Sequence, residues 1–364
     1  MSTLSPWYLL VGSYTRPDAN DGLSAYEVLE PSGELELACR TPAEDSTYLA
    51  VHPQKPLVYV TNELRTFQDE PGAAVSSYRF NETLRSWELL GRQPTGNSLA
   101  CHVSLDPQAR YAVVSNYGEG SVAVFPIEAQ GQLGPRTDLV HHAGKLGPHP
   151  TRQVTPHAHC ALFVGSTGRV LVSDLGLDCI ISYDLDFTNG KLREVARSPL
   201  PAGTGPRHLC VHPEGGWLYS VNELTCEVTL YRNTGNGVSV AESWSLSVNE
   251  GDDAVRAADI QLHPNGRFLY ASNRGRNTLT AFAIDPESGR LTCIETIASG
   301  GAMPRSFVIH PNGRYLYVAN LQSHSISQFW IDPSTGQLDP TGYSMPYGRP
   351  ACLKFARLTF TVLS

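Results

Sequence analysis

At 364 residues, 41% hydrophobic and 17% charged, with 32 Gly and 26 Pro, the chain has the composition of a loop-rich globular protein and is too apolar to be disordered. Its formal net charge is −8 and it contains no Lys/Arg run. That argues against a nucleic-acid partner or an anionic membrane, which need a basic patch, and any anionic ligand must be held by a local arginine cluster.

Residues 1–15 carry neither the charged leader nor the long apolar core of a secretory signal, and no apolar run elsewhere reaches bilayer-spanning length. A cytoplasmic protein without a membrane partner is expected. Eight cysteines are scattered between Cys39 and Cys352 without a C-x-x-C pair, which suggests buried thiols rather than a zinc site or a disulfide framework. From Tyr48 onward one unit recurs. Weaker copies are YLAVHPQKPLVYVTNEL from Tyr48, CHVSLDPQARYAVVSNYGEGSVAVFPI from Cys101 and CALFVGSTGRVLVSDLGLDCIISYDLD from Cys160. Stronger ones are PRHLCVHPEGGWLYSVNELTCEVTLYR from Pro206, AADIQLHPNGRFLYASNRGRNTLTAFAID from Ala257 and PRSFVIHPNGRYLYVANLQSHSISQFWID from Pro304. Anchored on the residue before the turn, the units fall at His52, Asp106, Val164, His212, His263 and His310, with a seventh anchor at Ala356.

Each unit is an apolar run, a Pro/Gly turn and an alternating run, and no helical periodicity is sustained. A period of about 50 residues made of short strands is the mark of a propeller blade, which closes radially and hides its edges. The sequence therefore predicts an all-β fold, a single seven-bladed β-propeller domain over residues 1–364 with four antiparallel strands per blade. Trp7–Ser13 matches Arg314–Asn320, so the N-terminal strands should complete the blade that the C-terminal strand begins.

The repeat supplies its own control: positions alike in most blades serve the scaffold, and departures in a few adjacent blades are candidates for chemistry. The recurring Asn62, Asn116, Asp174, Asn222, Asn273 and Asn320 at strand ends belong to the first class, as do His52, His212, His263 and His310 beside the turn. Two other positions, five before the anchor and eleven after it, should face each other across a hairpin at one mouth of the ring. There, consecutive blades three to six carry His159, Arg207, Glu223, Arg274 and Arg305. Strand alternation in Thr155–Cys160 would set His157 and His159 on one face. His141, His142 and His149 invite a metal reading, but no further ligand stands at a telling spacing, and neither a metal nor another cofactor is assigned.

A histidine beside a glutamate and several arginines can deprotonate a water while guanidinium groups hold an anion and a developing oxyanion. No nucleophile elbow, P-loop or dinucleotide fingerprint is present. General acid–base chemistry on a small anion remains, and a pH–rate limb near neutrality would fit a histidine base.

Four sets of residues carry a family likeness: Pro156-His157-Ala158-His159; Pro206-Arg207-His208-Leu209 with Val221-Asn222-Glu223-Leu224; Ala271-Ser272-Asn273-Arg274-Gly275; and His102-Val103-Ser104 with Ser115-Asn116-Tyr117-Gly118. They resemble the seven-bladed lactonase family, which includes the bacterial propeller-type 6-phosphogluconolactonases and the fungal carboxy-cis,cis-muconate cyclases. The resemblance implies metal-independent hydrolysis of 6-phospho-D-glucono-1,5-lactone to 6-phosphogluconate, the second step of the pentose phosphate pathway. It assigns catalysis to His159, Glu223, Arg207 and Arg274. Either His159 or Glu223 can be the base, and the two arginines polarise the lactone carbonyl. Arg305, His157, Asn222 and Asn273 are the expected substrate-binding residues, with Arg305 toward the phosphate. The acidic loop Asn249–Asp253 near the expected mouth would repel an anion. The alternatives are another sugar-acid or muconate-type lactone, or a propeller that only binds a partner.

Overall fold

The computed structural model describes residues 6–15, 22–213, 216–246 and 256–358, and all regular structure among them is β. Seven four-stranded antiparallel sheets form the blades, and a two-stranded ribbon, Thr66–Phe67 with Glu70–Pro71, extends blade 1. The innermost strands, in blade order, are Ser46–Val51, Ala100–Leu105, Ala158–Val164, Pro206–Val211, Ala257–Leu262, Pro304–Ile309 and Pro350–Ala356. Each packs against the next until the seventh meets the first. Blade 7 is made from both ends of the chain. Pro350–Ala356 pairs with Tyr8–Ser13, in a register running from Tyr8 opposite Ala356 to Gly12 opposite Cys352, and Gly22–Leu29 and Glu34–Pro42 follow outward. The predicted closure is what forms.

The core lies between blades rather than within them. Seven apolar clusters each draw side chains from two neighbouring blades, which is the outcome of sheets stacked face to face. Second strands such as Phe268–Asn273 and Tyr315–Asn320 are buried along their whole length, because both of their faces are covered. Polar ties reinforce each stack. Tyr59, Tyr219 and Tyr270 donate their hydroxyls to the glycine carbonyls of Gly131, Gly289 and Gly336 in the next blade, at 2.7–3.0 Å. His212 and His263 likewise bond the carbonyls of Gly266 and Gly313, in keeping with a scaffold role for the His-Pro histidines.

One irregularity recurs in every blade. In blade 4, Pro206 faces Asn222 and His208 faces Val221, leaving Arg207 unopposed in a β-bulge. The same break falls at Thr47, Cys101, His159, Arg305 and Ala351, and over Ala258 and Asp259 in blade 5. A bulge bends the strand and re-aims the side chain of the extra residue. It also corrects the predicted cross-strand pairing. The residue five before the anchor has no partner opposite it, and the residue eleven after the anchor lies one past the strand end.

Gly313 shows how tightly neighbouring turns mesh: its φ is +75°, and a Cβ there would lie 2.7 Å from the His263 ring. Gly313→Ala should cost about 1–2 kcal/mol for the left-handed backbone alone. The check is a lowered midpoint of urea unfolding at an unchanged slope.

Candidate functional site

Three rows of residues surround the mouth at which the inner strands begin. The bulge residues form the first, and Tyr14, Glu63, Tyr117, Leu175, Glu223, Arg274 and Leu321, each just past a second strand, form the second. Every member of the second row donates its backbone N–H to a carbonyl of the third: Arg349, Asp45, Leu99, His157, Gly205, Arg256 and Met303 respectively, at 2.7–3.2 Å. With the main chain held alike in all blades, side-chain identity can vary without disturbing the frame.

Glu223 is the hub of one cluster. Its Oε2 accepts from Arg274 Nη2 at 2.7 Å and lies 3.3 Å from Arg207 Nε, while Oε1 accepts from Arg152 Nη2. Its side chain is 1% exposed, so the carboxylate is shielded from bulk water, while Arg152 reaches it with 25% of its side chain exposed. Burial raises the carboxyl pKa, but Arg274, Arg152 and Arg207 outweigh it and hold Glu223 at about 2. Arg207 responds in the other direction: burial, with Arg274 and Arg305 beside it, lowers it to about 10.

The second cluster centres on Tyr117. His157 stacks on its ring at 4.1 Å and donates Nδ1–H to its carbonyl at 2.6 Å, His159 meets the ring edge-on at 5.5 Å, and Arg152 lies over it at 5.7 Å. His159 Nδ1 lies 3.9 Å from Cys101 Sγ, while Nε2 has no protein partner among the described residues. Burial first, then Arg207, His208 and Arg305, lower the His159 pKa well below its ordinary range, leaving the imidazole neutral at pH 7.

The third cluster joins blades 6, 7 and 1. Tyr14 donates its hydroxyl to Glu63 Oε2 at 2.8 Å, and Arg305 Nη2 lies 3.5 Å from the same oxygen. Arg305 and Arg349 both lie over the Tyr14 ring, at 5.3 and 4.9 Å.

Beneath Arg207 runs a buried polar chain. The guanidinium Nη1 is 3.2–3.4 Å from both nitrogens of His208, and His208 Nδ1 donates to Asp259 Oδ1 at 2.8 Å. Asp259 Oδ2 accepts from Ser306 Oγ and Phe307 N. The chain crosses from blade 4 through blade 5 to blade 6. It forms part of the wall of a central cavity of about 670 Å³ that reaches the far end of the inner strands. A smaller cleft of about 360 Å³ opens at the mouth beside Arg274 and Arg256. Its lining is Arg256, Arg274, Gly275, Asn277, Met303 and Gln322, so of the clustered residues only Arg274 borders it.

The match to known proteins follows the same frame. Residues 8–355 match the family model described as lactonase, 7-bladed beta-propeller. The chain belongs to the seven-bladed β-propeller lactonases. It is 30% identical over 350 residues to the 6-phosphogluconolactonase of Bacillus subtilis, covering 95% of this chain and 97% of that one. A 6-phosphogluconolactonase of Formosa agariphila is 28% identical over 309 residues, or 83% and 86% of the two chains. The solved periplasmic gluconolactonase of Pseudomonas aeruginosa superimposes with a TM-score of 0.89 at 31% identity, covering 98% of this chain and all of that one. Membership places this lactonase among the enzymes that hydrolyse cyclic esters, with a small lactone as substrate.

The structure gathers His159, Arg207, Glu223, Arg274 and Arg305 at one mouth, as the blade comparison predicted. It corrects other expectations. Asn222 and Asn273 are 0% and 1% exposed, and their amides are used inside the frame. Asn222 bonds Thr229 and Ser220, and Asn273 bonds Leu246 and the turn N–H groups of Gly275 and Arg276, so neither is presented to a ligand. His157 is also largely committed, its Nδ1 to the Tyr117 carbonyl. Glu223 bonds arginines and makes no hydrogen bond to His159. His142 pairs with Asp174 at 2.6 Å, and no group of three or more His, Cys, Asp or Glu side chains among the described residues could hold a metal. The acidic loop 249–253 lies outside the described residues.

Arg152, Tyr14, Tyr117 and Arg349 were not among the expected site residues. Arg152 sits in the long link between blades 2 and 3, where no repeat marks it. Its signal is the longest spacing between anchors, from Asp106 to Val164.

Glu223→Gln would leave buried guanidiniums without their counter-charge, a loss expected to cost about 3–5 kcal/mol. The Glu223 pKa is lower folded than unfolded, so its stabilisation is complete above pH 4.5 and drains as pH falls toward 2. Urea unfolding from pH 7 down to pH 2 should show this loss in the parent and not in the variant. Equal acid sensitivity in both would assign it to another group.

Proposed function

We propose that this lactonase hydrolyses 6-phospho-D-glucono-1,5-lactone in the cytoplasm by metal-independent general acid–base catalysis at the arginine-lined mouth. The observation that carries the reading is a neutral, buried histidine facing a set of arginines that outnumbers the local carboxylates. Arg152, Arg207 and Arg274 pair with Glu223 and Arg305 with Glu63, while Arg349 has no carboxylate partner among the described residues. A site with that balance favours an anionic substrate and opposes protonation of the histidine.

In this mechanism His159 Nε2 takes a proton from water as the water oxygen attacks the lactone carbonyl carbon. Arg207 Nη2 and Arg274 Nη1 have no acceptor among the described residues, and they donate to the carbonyl oxygen as it becomes the tetrahedral oxyanion. Collapse breaks the bond to the ring oxygen, which takes the proton back from the imidazolium and leaves as the hydroxyl of the open acid. Glu223, at about 2, is a poor base and is assigned the positioning of the arginines. Arg305 is turned to the phosphate end. The cysteines are all free thiols, which suits a reducing compartment. A second reading, hydrolysis of an unphosphorylated gluconolactone, is favoured by the name of the Pseudomonas aeruginosa relative.

Metal-stripped protein should form 6-phosphogluconate from freshly generated lactone above the spontaneous rate. His159→Ala should abolish this, and Arg274→Ala should lower turnover roughly 100- to 1,000-fold. Undiminished turnover in either variant overturns the assignment, and a faster rate on the unphosphorylated lactone selects the second reading.

The depressed His159 pKa also fixes a pH dependence. The base works only when neutral, so kcat/KM should be flat through pH 6.5–8 and fall only as pH drops through the lowered pKa. A limb at or above 6.5 would mean that His159 is not the titrating base.

A further inference from the structure

The arginines of the mouth differ in how fully they are used. Arg152 and Arg274 hydrogen-bond Glu223, Arg207 forms an ion pair with it at 3.3 Å, and Arg207 and Arg274 also donate to the carbonyls of Ala258 and Ala257. Arg305 makes only the loose 3.5 Å pair with Glu63. No hydrogen bond from either the Arg305 or the Arg349 guanidinium is seen among the described residues, and Arg349 has no carboxylate partner there. Both lie over Tyr14, and each guanidinium carries five N–H donors in a planar fork.

The backbone explains how Arg349 comes to be there. It precedes the inner strand of blade 7 with a φ of +41°, its carbonyl accepts from Tyr14 N, and its N–H donates to His324 Nδ1. The equivalent residues Asp45, Leu99 and Met303 are also left-handed, so the conformation belongs to the frame and only the side chain is particular to this blade. The two carboxylates of this corner are occupied. Glu63 Oε2 takes the Tyr14 hydroxyl, and Asp45 Oδ1 takes Thr15 N at 2.8 Å.

We infer that Arg305 and Arg349, both packed over the ring of Tyr14, form a phosphomonoester-binding subsite, with Glu63 holding Tyr14 in place through its hydroxyl. Paired guanidinium forks match the oxygens of a phosphate, which carries a charge of about −1.5 to −2 at pH 7. The subsite rests on the proposed function, because it assigns the end of the substrate remote from the carbonyl. Its place fits that role: it occupies blades 6 to 1, across the mouth from His159 in blade 3 and Arg207 in blade 4. Arg349 becomes a specificity-determining residue that takes no part in the bond-breaking step.

The test has two arms on the full chain. In the first, inorganic phosphate is titrated calorimetrically into the parent, Arg349→Ala and Arg349→Lys. The parent should bind, the alanine variant should bind at least 10-fold more weakly, and the lysine variant should fall between them. In the second arm, kcat/KM is measured for 6-phosphogluconolactone and for glucono-1,5-lactone. The preference for the phosphorylated lactone should shrink 10- to 100-fold in Arg349→Ala, chiefly through KM. A parent that does not bind phosphate, or an alanine variant that binds it as tightly as the parent, overturns the subsite. A parent that binds phosphate through Arg349 yet prefers the unphosphorylated lactone supports the subsite and refutes the substrate reading.

Discussion

Blade 7 exists only through one contact, the pairing of Pro350–Ala356 with Tyr8–Ser13, and radial repetition leaves each blade only short edges at its inner and outer strands. Once those strands meet, blade 7 has its four strands and both of its faces, against blades 6 and 1, acquire partners. The seven inter-blade clusters then form one continuous belt. The bulge on each inner strand turns one side chain per blade out of the ladder without breaking the belt. The frame repeats from blade to blade, and the residues displayed at the mouth do not.

The charges at the mouth obey a second constraint. A buried guanidinium needs a counter-charge, and two carboxylates, Glu223 in blade 4 and Glu63 in blade 1, pair with four of the five arginines. Glu223 gathers three arginines into one compact cluster, and Glu63 leaves Arg305 loosely held. The His208–Asp259–Ser306 chain supports Arg207 from below, so its guanidinium is held by His208 on its own strand and by Ala258 of blade 5, with Ser306 of blade 6 behind them. Preorganised donors of this kind need little rearrangement when charge develops on a substrate.

The frame was legible in the sequence because it is written several times. Blade number, strand count and closure follow from the repeated turn and from the match of Trp7–Ser13 to Arg314–Asn320. The convergence of His159, Arg207, Glu223, Arg274 and Arg305 was legible as a departure from the repeat. The pairing across the hairpin was not, because a bulge inserts one residue without changing the pattern of apolar positions. Asn222 and Asn273 looked available for a ligand because polarity in a sequence does not reveal that an amide is already bonded in a turn. Tyr14 and Arg349 escaped for a topological reason: blade 7 is split between the chain ends, so its members never appear side by side in the sequence. Arg152 escaped because it stands in the one long link with no counterpart in other blades.

The split blade also bears on synthesis. Residues 8–13 leave the ribosome before the other six blades and their inner neighbour, Pro350–Ala356, after them, so the first three strands of blade 7 wait with an open edge while the other blades are made. Ring closure is the most non-local event in the fold, of the kind that slows folding and exposes intermediates to aggregation. Tyr14 and Arg349 come together only at that moment. A ligand that touches both recognises the completed ring alone, so its binding would draw the chain toward closure by mass action.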